Sequence, residues 1–110
     1  MRNINALKSN AEFREVYKNG TSVANKYLVL YAYKNDGGKA RLGISVSKKV
    51  GNSVVRHRLS RLIRESYLTE KEHLKDGFSL VVVARVRAKD ALFSDICGSF
   101  KYLCEKQNLL

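Results

Sequence analysis

The chain has no proline and no tryptophan, and only two of its residues are cysteine. Acidic residues are scarce, with 10 Asp and Glu against 21 Lys and Arg. No apolar run is long enough to cross a bilayer. Each shortage excludes something. With no proline, repeat or low-complexity tract, nothing marks a linker, so 110 residues of which 45% are apolar suit one compact domain, residues 1–110, with a small core. The polar stretch from Met1 to Asn10 lacks the apolar run of a secretory signal. The expected location is therefore cytoplasmic, with no membrane partner. Cys97 and Cys104 fall in a segment that reads as a helix, roughly 10 Å apart along its axis, too far for a disulfide. Two buried thiols are expected. The two histidines, His57 and His73, show no ligand spacing, so no metal site is expected in the protein.

What is present is positive charge, a formal +11. A small domain with this excess implies a polyanionic partner. The distribution is sharper than the total. From Gly37 to Arg64 there is no carboxylate, while Lys39, Arg41, Lys48, Lys49, Arg56, Arg58, Arg61 and Arg64 all fall within that window. Solubility alone would be served by mixed signs; a block of one sign across a strand and a helix is an electrostatic footprint.

Hydrophobic period gives the element order. Ser9-Asn10-Ala11-Glu12 fits a capping box, and Phe13, Val16 and Tyr17 form a stripe on a helix over 10–18 that Gly20 stops. Residues 21–34 are β-branched and aromatic, with Asn25-Lys26 as a break between a short strand and a longer one on which Tyr27, Tyr31 and Tyr33 share a face. Asn35-Asp36-Gly37-Gly38 is a turn. In residues 40–48, Leu42, Ile44 and Val46 face one way and Arg41, Gly43, Ser45 and Ser47 the other. A helix capped by Asn52 or Ser53 runs to about Glu72. Residues 78–86 read as a strand covered on both faces, and 89–107 as a helix with Leu92, Ile96, Phe100 and Leu103 inward. The order is αβββαβα, an α+β domain whose strands at 40–48 and 78–86 could pair in parallel across the long helix. The general rule makes such a crossover right-handed.

The basic helix carries a core stripe as well. On a wheel, Val55, Leu59, Leu62 and Ile63 gather on one side. His57, Arg61 and Arg64 lie opposite, with Arg56 and Ser60 on one flank and Arg58 on the other. Arg61 has Glu65 at i,i+4, too little to neutralise the face. Arginine offers planar, bidentate recognition of phosphate. Beside such a helix, aromatic rings at Phe13, Tyr17 or the strand tyrosines could stack on unpaired bases, though the same rings could equally be core. The scattered carboxylates show no two-metal motif, and no P-loop or dinucleotide fingerprint occurs. The chain reads as a binder. A general single-strand-binding or ribosomal protein and a nuclease using His57 remain the alternatives at this level.

The run SVSKKVGNSVVRHRLSRLIRE, residues 45–65, resembles the signature segment of the bacterial ribonuclease P protein component. FREVYKNGTSVAN at 13–25, LVLY at 28–31 and VVVAR at 81–85 are similar to the same family, in order along essentially the whole chain. The resemblance implies an αβββαβα fold, a small mixed sheet packed by helices, with an unusual left-handed βαβ crossover, against the general rule. It implies an endoribonuclease holoenzyme whose RNA subunit carries the active site and uses magnesium to remove the 5′ leader from precursor tRNA. No catalytic residue is then expected in the protein, which would be monomeric in the holoenzyme. By position, Arg56, His57, Arg58, Arg61 and Arg64 match the helix that faces the catalytic RNA. Phe13, Tyr17, Tyr31, Ser45, Ser47, Lys48 and Lys49 match the cleft that holds the leader. Two residues depart from the family pattern: His57 stands where Asn is usual, and Ser60 where Lys is common.

Overall fold

The computed structural model describes residues 4–110. Its elements are helix α1 (Asn10–Asn19), strands β1 (Thr21–Ala24), β2 (Leu28–Lys34) and β3 (Arg41–Ser45), helix α2 (Ser53–Glu70), strand β4 (Phe78–Ala84) and helix α3 (Phe93–Lys106). The strands form one mixed sheet in the order β1-β2-β4-β3, with only β3 and β4 parallel. Helices α2 and α3 cover one face over the main core, and α1 covers part of the other. The α+β order read from the sequence holds. So does the parallel pair joined through α2, the unit to which the resemblance attaches its left-handed crossover.

Local chemistry explains the boundaries. The capping box is made: Ser9 Oγ accepts from Glu12 N at 3.2 Å, and Glu12 Oε1 accepts from Ser9 N at 3.0 Å. Gly20 ends α1 with extended, negative-φ backbone rather than a left-handed cap. Its lack of a side chain answers a different need: a Cβ there would stand 2.6 Å from the Val16 carbonyl oxygen and 2.8 Å from that of Ala32. Between β1 and β2, Asn25 Oδ1 accepts from the backbone N–H groups of Tyr27 and Leu28 at 3.0 and 2.9 Å. This turn takes Tyr27 out of the strand. Tyr27 therefore does not share a face with Tyr31 and Tyr33, as alternation had suggested; it packs at the edge of the main core while they pack on the α1 side. The Asn35–Gly38 turn forms as expected, with Gly37 at φ +93°, but β4 lies between the two strands it joins.

The main core is sealed by Leu28, Leu30, Leu59, Ile63, Tyr67, Leu80, Ile96, Phe100 and Leu103. Leu59 and Ile63 are fully buried, and Val55 and Leu62 are half-buried beside them, as the wheel required. Tyr67 was missing from that stripe, yet it is the largest fully buried side chain, edge-on to Phe100 at 6.2 Å. The last helix begins later than the pattern indicated. Residues Val86–Asp90 form a 3-10 turn, and Leu92, expected inward, is 64% exposed ahead of α3. The Arg58 guanidinium takes the carbonyls of Lys89 and Ala91, which a continuous helix would have used itself. Of the two thiols only Cys104 is fully buried, and burial pushes its pKa up to about 12. Cys97 sits on the flank of the α3 stripe and is half-buried.

Gly20 and Gly98 make a controlled pair. Gly20→Ala is expected to cost about 1–3 kcal/mol of unfolding free energy, because backbone atoms must move. In Gly98→Ala the new methyl meets nothing within 4 Å on an exposed helical position. That change is expected to stabilise by about 0.5–1 kcal/mol. Urea midpoints for the two variants check the contrast; equal losses would refute it.

Candidate nucleic-acid interface

Burial fixes α2 by one side and leaves the other to solvent. His57, Arg61 and Arg64 are exposed, and Arg56, Arg58 and Ser60 are partly so. Asn52 Oδ1 accepts from Val55 N at 3.0 Å and caps the helix. No acidic residue lies in the first turn, so the positive end of the helix is not compensated there. Two of the arginines have internal partners. Arg56 Nε donates to the Gly51 carbonyl at 3.2 Å. Arg58 Nη1 donates to the Lys89 carbonyl at 3.5 Å, and Nη2 donates to that of Ala91. The family resemblance assigns Arg56, His57, Arg58, Arg61 and Arg64 alike to the RNA-facing helix; in the structure Arg61 and Arg64 project, while Arg58 bridges two elements.

The second surface is a cleft on the opposite side of the sheet. Strand register sets its floor. Tyr31, Val81 and Gly43 stand in one row across β2, β4 and β3, and Val29, Val83 and Ser45 in the next. Helix α1 lies over the first row through Val16 and Phe13. The second row is half-buried and runs toward the turn that carries Ser47, Lys48 and Lys49, all exposed. Phe13, Tyr17 and Tyr31 converge at the wall. Tyr17 meets Tyr31 edge-on at 4.9 Å, and Phe13 lies 6.4 Å from Tyr17. The three aromatic positions named from the sequence are therefore one cluster, with Tyr17 38% exposed. An aromatic wall, an apolar floor and a cationic end can hold an unpaired base by its face and the adjoining phosphate by charge.

Two features of this cleft were not named from the sequence. Gly43 is the bed for Phe13: a Cβ there would lie 2.7 Å from the ring. The signal was available, because Gly43 is the position without a side chain between Arg41 and Ser45 on that face. The other is the anchor of α1. Glu12 accepts from the N–H groups of Lys8 and Ser9 and forms an ion pair with Arg41 on β3. Those backbone donors, then Arg41, hold its carboxyl at about 2, well below the usual 4.5. Arg41 also donates to the Ala6 carbonyl at 3.1 Å, tying the N-terminal segment to the same edge. On the far flank, Tyr33 donates to Glu15 Oε1 at 2.8 Å, which raises the tyrosine pKa. Among the described residues no three His, Cys, Asp or Glu side chains come together as a metal site would need, and no helix is long and apolar enough to cross a membrane.

A family model described as Ribonuclease P matches residues 1–108. The chain belongs to the ribonuclease P protein family. The ribonuclease P protein component of Clostridioides difficile strain 630 is 50% identical over 104 residues, covering 94% of this chain and 91% of that one. The solved RNase P protein of Staphylococcus aureus has a TM-score of 0.89 at 38% identity and covers 97% of this chain and 98% of its own. That of Thermotoga maritima has a TM-score of 0.84 at 28% identity, with 96% and 97% covered. The family resemblance read from residues 13–25 and 45–65 thus extends over the whole domain.

The Glu12 anchor makes the cleft acid-sensitive in a defined direction. A carboxyl with its folded pKa near 2 gives stability that is fully present above 4.5 and is lost as pH falls through 2. Glu12→Gln is expected to remove this contribution at neutral pH and to flatten the loss of stability between those limits. Salt should shrink the difference, because the pair is exposed. Melting curves of both proteins across that range decide it; parallel acid limbs would exclude the anchor.

Proposed function

We propose that the protein is the RNA-binding subunit of a ribonuclease P holoenzyme, assisting a catalytic RNA in endonucleolytic removal of the 5′ leader from precursor tRNA. The observation that carries this reading is the division of labour on α2, whose apolar stripe is committed to the core while arginines project on the other side, in a chain of this family. In this reading the exposed side of α2 binds the catalytic RNA through Arg61, Arg64 and the flanking Arg56, with His57 donating to the same partner. The leader lies in the cleft of Phe13, Tyr17 and Tyr31, its phosphates met by Lys48 and Lys49 beside Ser45 and Ser47. Magnesium is held by the RNA, where the phosphodiester is hydrolysed, and the protein supplies positive charge that lowers the metal concentration the RNA needs. The protein acts as a monomer in the holoenzyme, in the cytoplasm.

Reconstitution tests this directly. Added to a catalytic RNA from a related bacterium, the protein is expected to accelerate precursor-tRNA cleavage at low magnesium; no acceleration with any bacterial catalytic RNA would end the proposal. The two surfaces are separable by mutation. Arg61→Ala is expected to weaken assembly with the catalytic RNA and to lower the log–log salt slope by about 0.7–0.9, the share of one phosphate. Tyr31→Ala is expected to cost about 1–3 kcal/mol of affinity for leader-bearing precursor and little for a leaderless tRNA. Equal loss with both tRNAs would assign Tyr31 to the core alone.

A further inference from the structure

The connection between β4 and α3 carries Arg85, Arg87 and Lys89, with Asp90 as its one carboxylate. It is held in place from three directions. Ala88 and Ala91 are buried beneath it. Arg85 Nη1 donates to the Asn25 carbonyl at 2.9 Å, and Arg85 N to that of Tyr27 at 2.9 Å. From α2, the Arg58 fork reaches the carbonyls of Lys89 and Ala91. Those carbonyls lie on either side of the turn's end, so one planar guanidinium fixes where the turn sits relative to the arginine face. The turn also borders a groove of about 500 Å³ at the carboxyl ends of β3 and β4. The charged side chains lining that groove are Lys26, Lys49, Arg85 and Arg87, all of one sign. Open sheets present ligand sites beyond the carboxyl ends of their parallel strands, and here the charge at that end is all positive.

We propose that the Val86–Asp90 turn is a second RNA-phosphate-binding element, acting through Arg87 and Lys89, and that Arg58 is its positioning residue rather than a phosphate ligand. The inference rests on the RNA-binding reading given above and reassigns Arg58, which the family resemblance sets among the RNA-facing residues. Arg87 and Lys89 are exposed, whereas the Arg58 fork is turned inward onto two carbonyls. A guanidinium that gives one N–H from each terminal nitrogen to the backbone sets geometry, and its neighbours on the turn meet the phosphate.

The test is a mutant cycle read by salt dependence, with catalytic RNA alone in one arm and leader-bearing precursor tRNA added to assembled holoenzyme in the other. In whichever arm receives these phosphates, the Arg87→Ala/Lys89→Ala double variant is expected to lower the salt slope by about 1.4–1.8, two contacts' worth. Arg58→Ala is expected to produce nearly the same fall, and the triple variant to bind no more weakly than the double. Arg58→Lys keeps the charge and loses the fork, so it is expected to behave like Arg58→Ala. Melting curves confirm folding, and binding is measured well below the lowest midpoint. A fall in the first arm assigns the turn to the catalytic RNA, and a fall confined to the second assigns it to the precursor. If wild type binds but the double variant matches it in both arms, the proposal is overturned. It is overturned equally if Arg58→Ala adds independently to the double variant, or if Arg58→Lys restores wild-type binding. Failure of wild type to bind either RNA would instead remove the functional reading beneath it.

Discussion

Helix α2 can hold its charge outward only because its other side is anchored. Burying Leu59 and Ile63 contributes about 1.5–3 kcal/mol each. The like-charge neighbours on the exposed side, Arg61 with Arg64, cost a few tenths of a kcal/mol. Packing wins by a wide margin. The helix can therefore present a surface that is electrostatically unfavourable by itself, in an orientation that side-chain repulsion does not disturb. The cost of that repulsion falls away when a polyanion arrives, so the protein is arranged for a bound state that its isolated form lacks.

The sheet extends the same logic to its other side. Helices α2 and α3 require one face of the sheet to be wholly apolar, and Leu28, Leu30, Leu42, Leu80 and Val82 provide it. Period-two alternation then sends Tyr31, Val81, Gly43 and Ser45 to the opposite face. Helix α1 is too short to cover that face, and the remainder becomes the cleft. Its placement depends on a few contacts of high specificity: the Ser9–Glu12 cap, the Glu12–Arg41 pair, and the Phe13 ring over Gly43. The arginine side of α2 and the cleft on the other face are thus joined through β3 and the turn after it. Lys48 and Lys49 stand in that turn between cleft and helix.

Much of this was legible in the sequence because the relevant signals are local. The capping box, the Asn25 break, the α2 wheel and the alternation of residues 41–46 each depend on neighbours within a few positions, and each reappears in the structure. What hydrophobic period misplaces depends on side-chain hydrogen bonds and close approaches that it does not report, some to neighbours and some to partners far along the chain. Tyr27 left its face because the Asn25 side chain claimed two backbone donors, one of them its own. Helix α3 starts only at Phe93, where Asp95 accepts from the Leu92 N–H, and the carbonyls of Lys89 and Ala91 before it meet Arg58, more than thirty positions upstream. Gly20 does stop α1, as the sequence indicates, but the reason for a glycine is the close approach of the Val16 and Ala32 carbonyls rather than a left-handed cap. The aromatic cluster shows the limit most clearly: spacing put Phe13 and Tyr17 together on a helix, but only the strand register could bring Tyr31 to them.

Arg58 shows why charge counting by helix face is incomplete. On a wheel it is a flanking cation, equivalent to Arg56. In the fold, its neighbours include two backbone carbonyls that precede the start of α3, and its guanidinium donates to both. The same residue type therefore does two different things within one helical turn of Arg61. At one position the fork meets the protein's own backbone; at the other it projects to solvent. A sequence motif read by spacing alone treats the two positions as equivalent. What separates them is the orientation of a neighbouring turn rather than the spacing of the arginines.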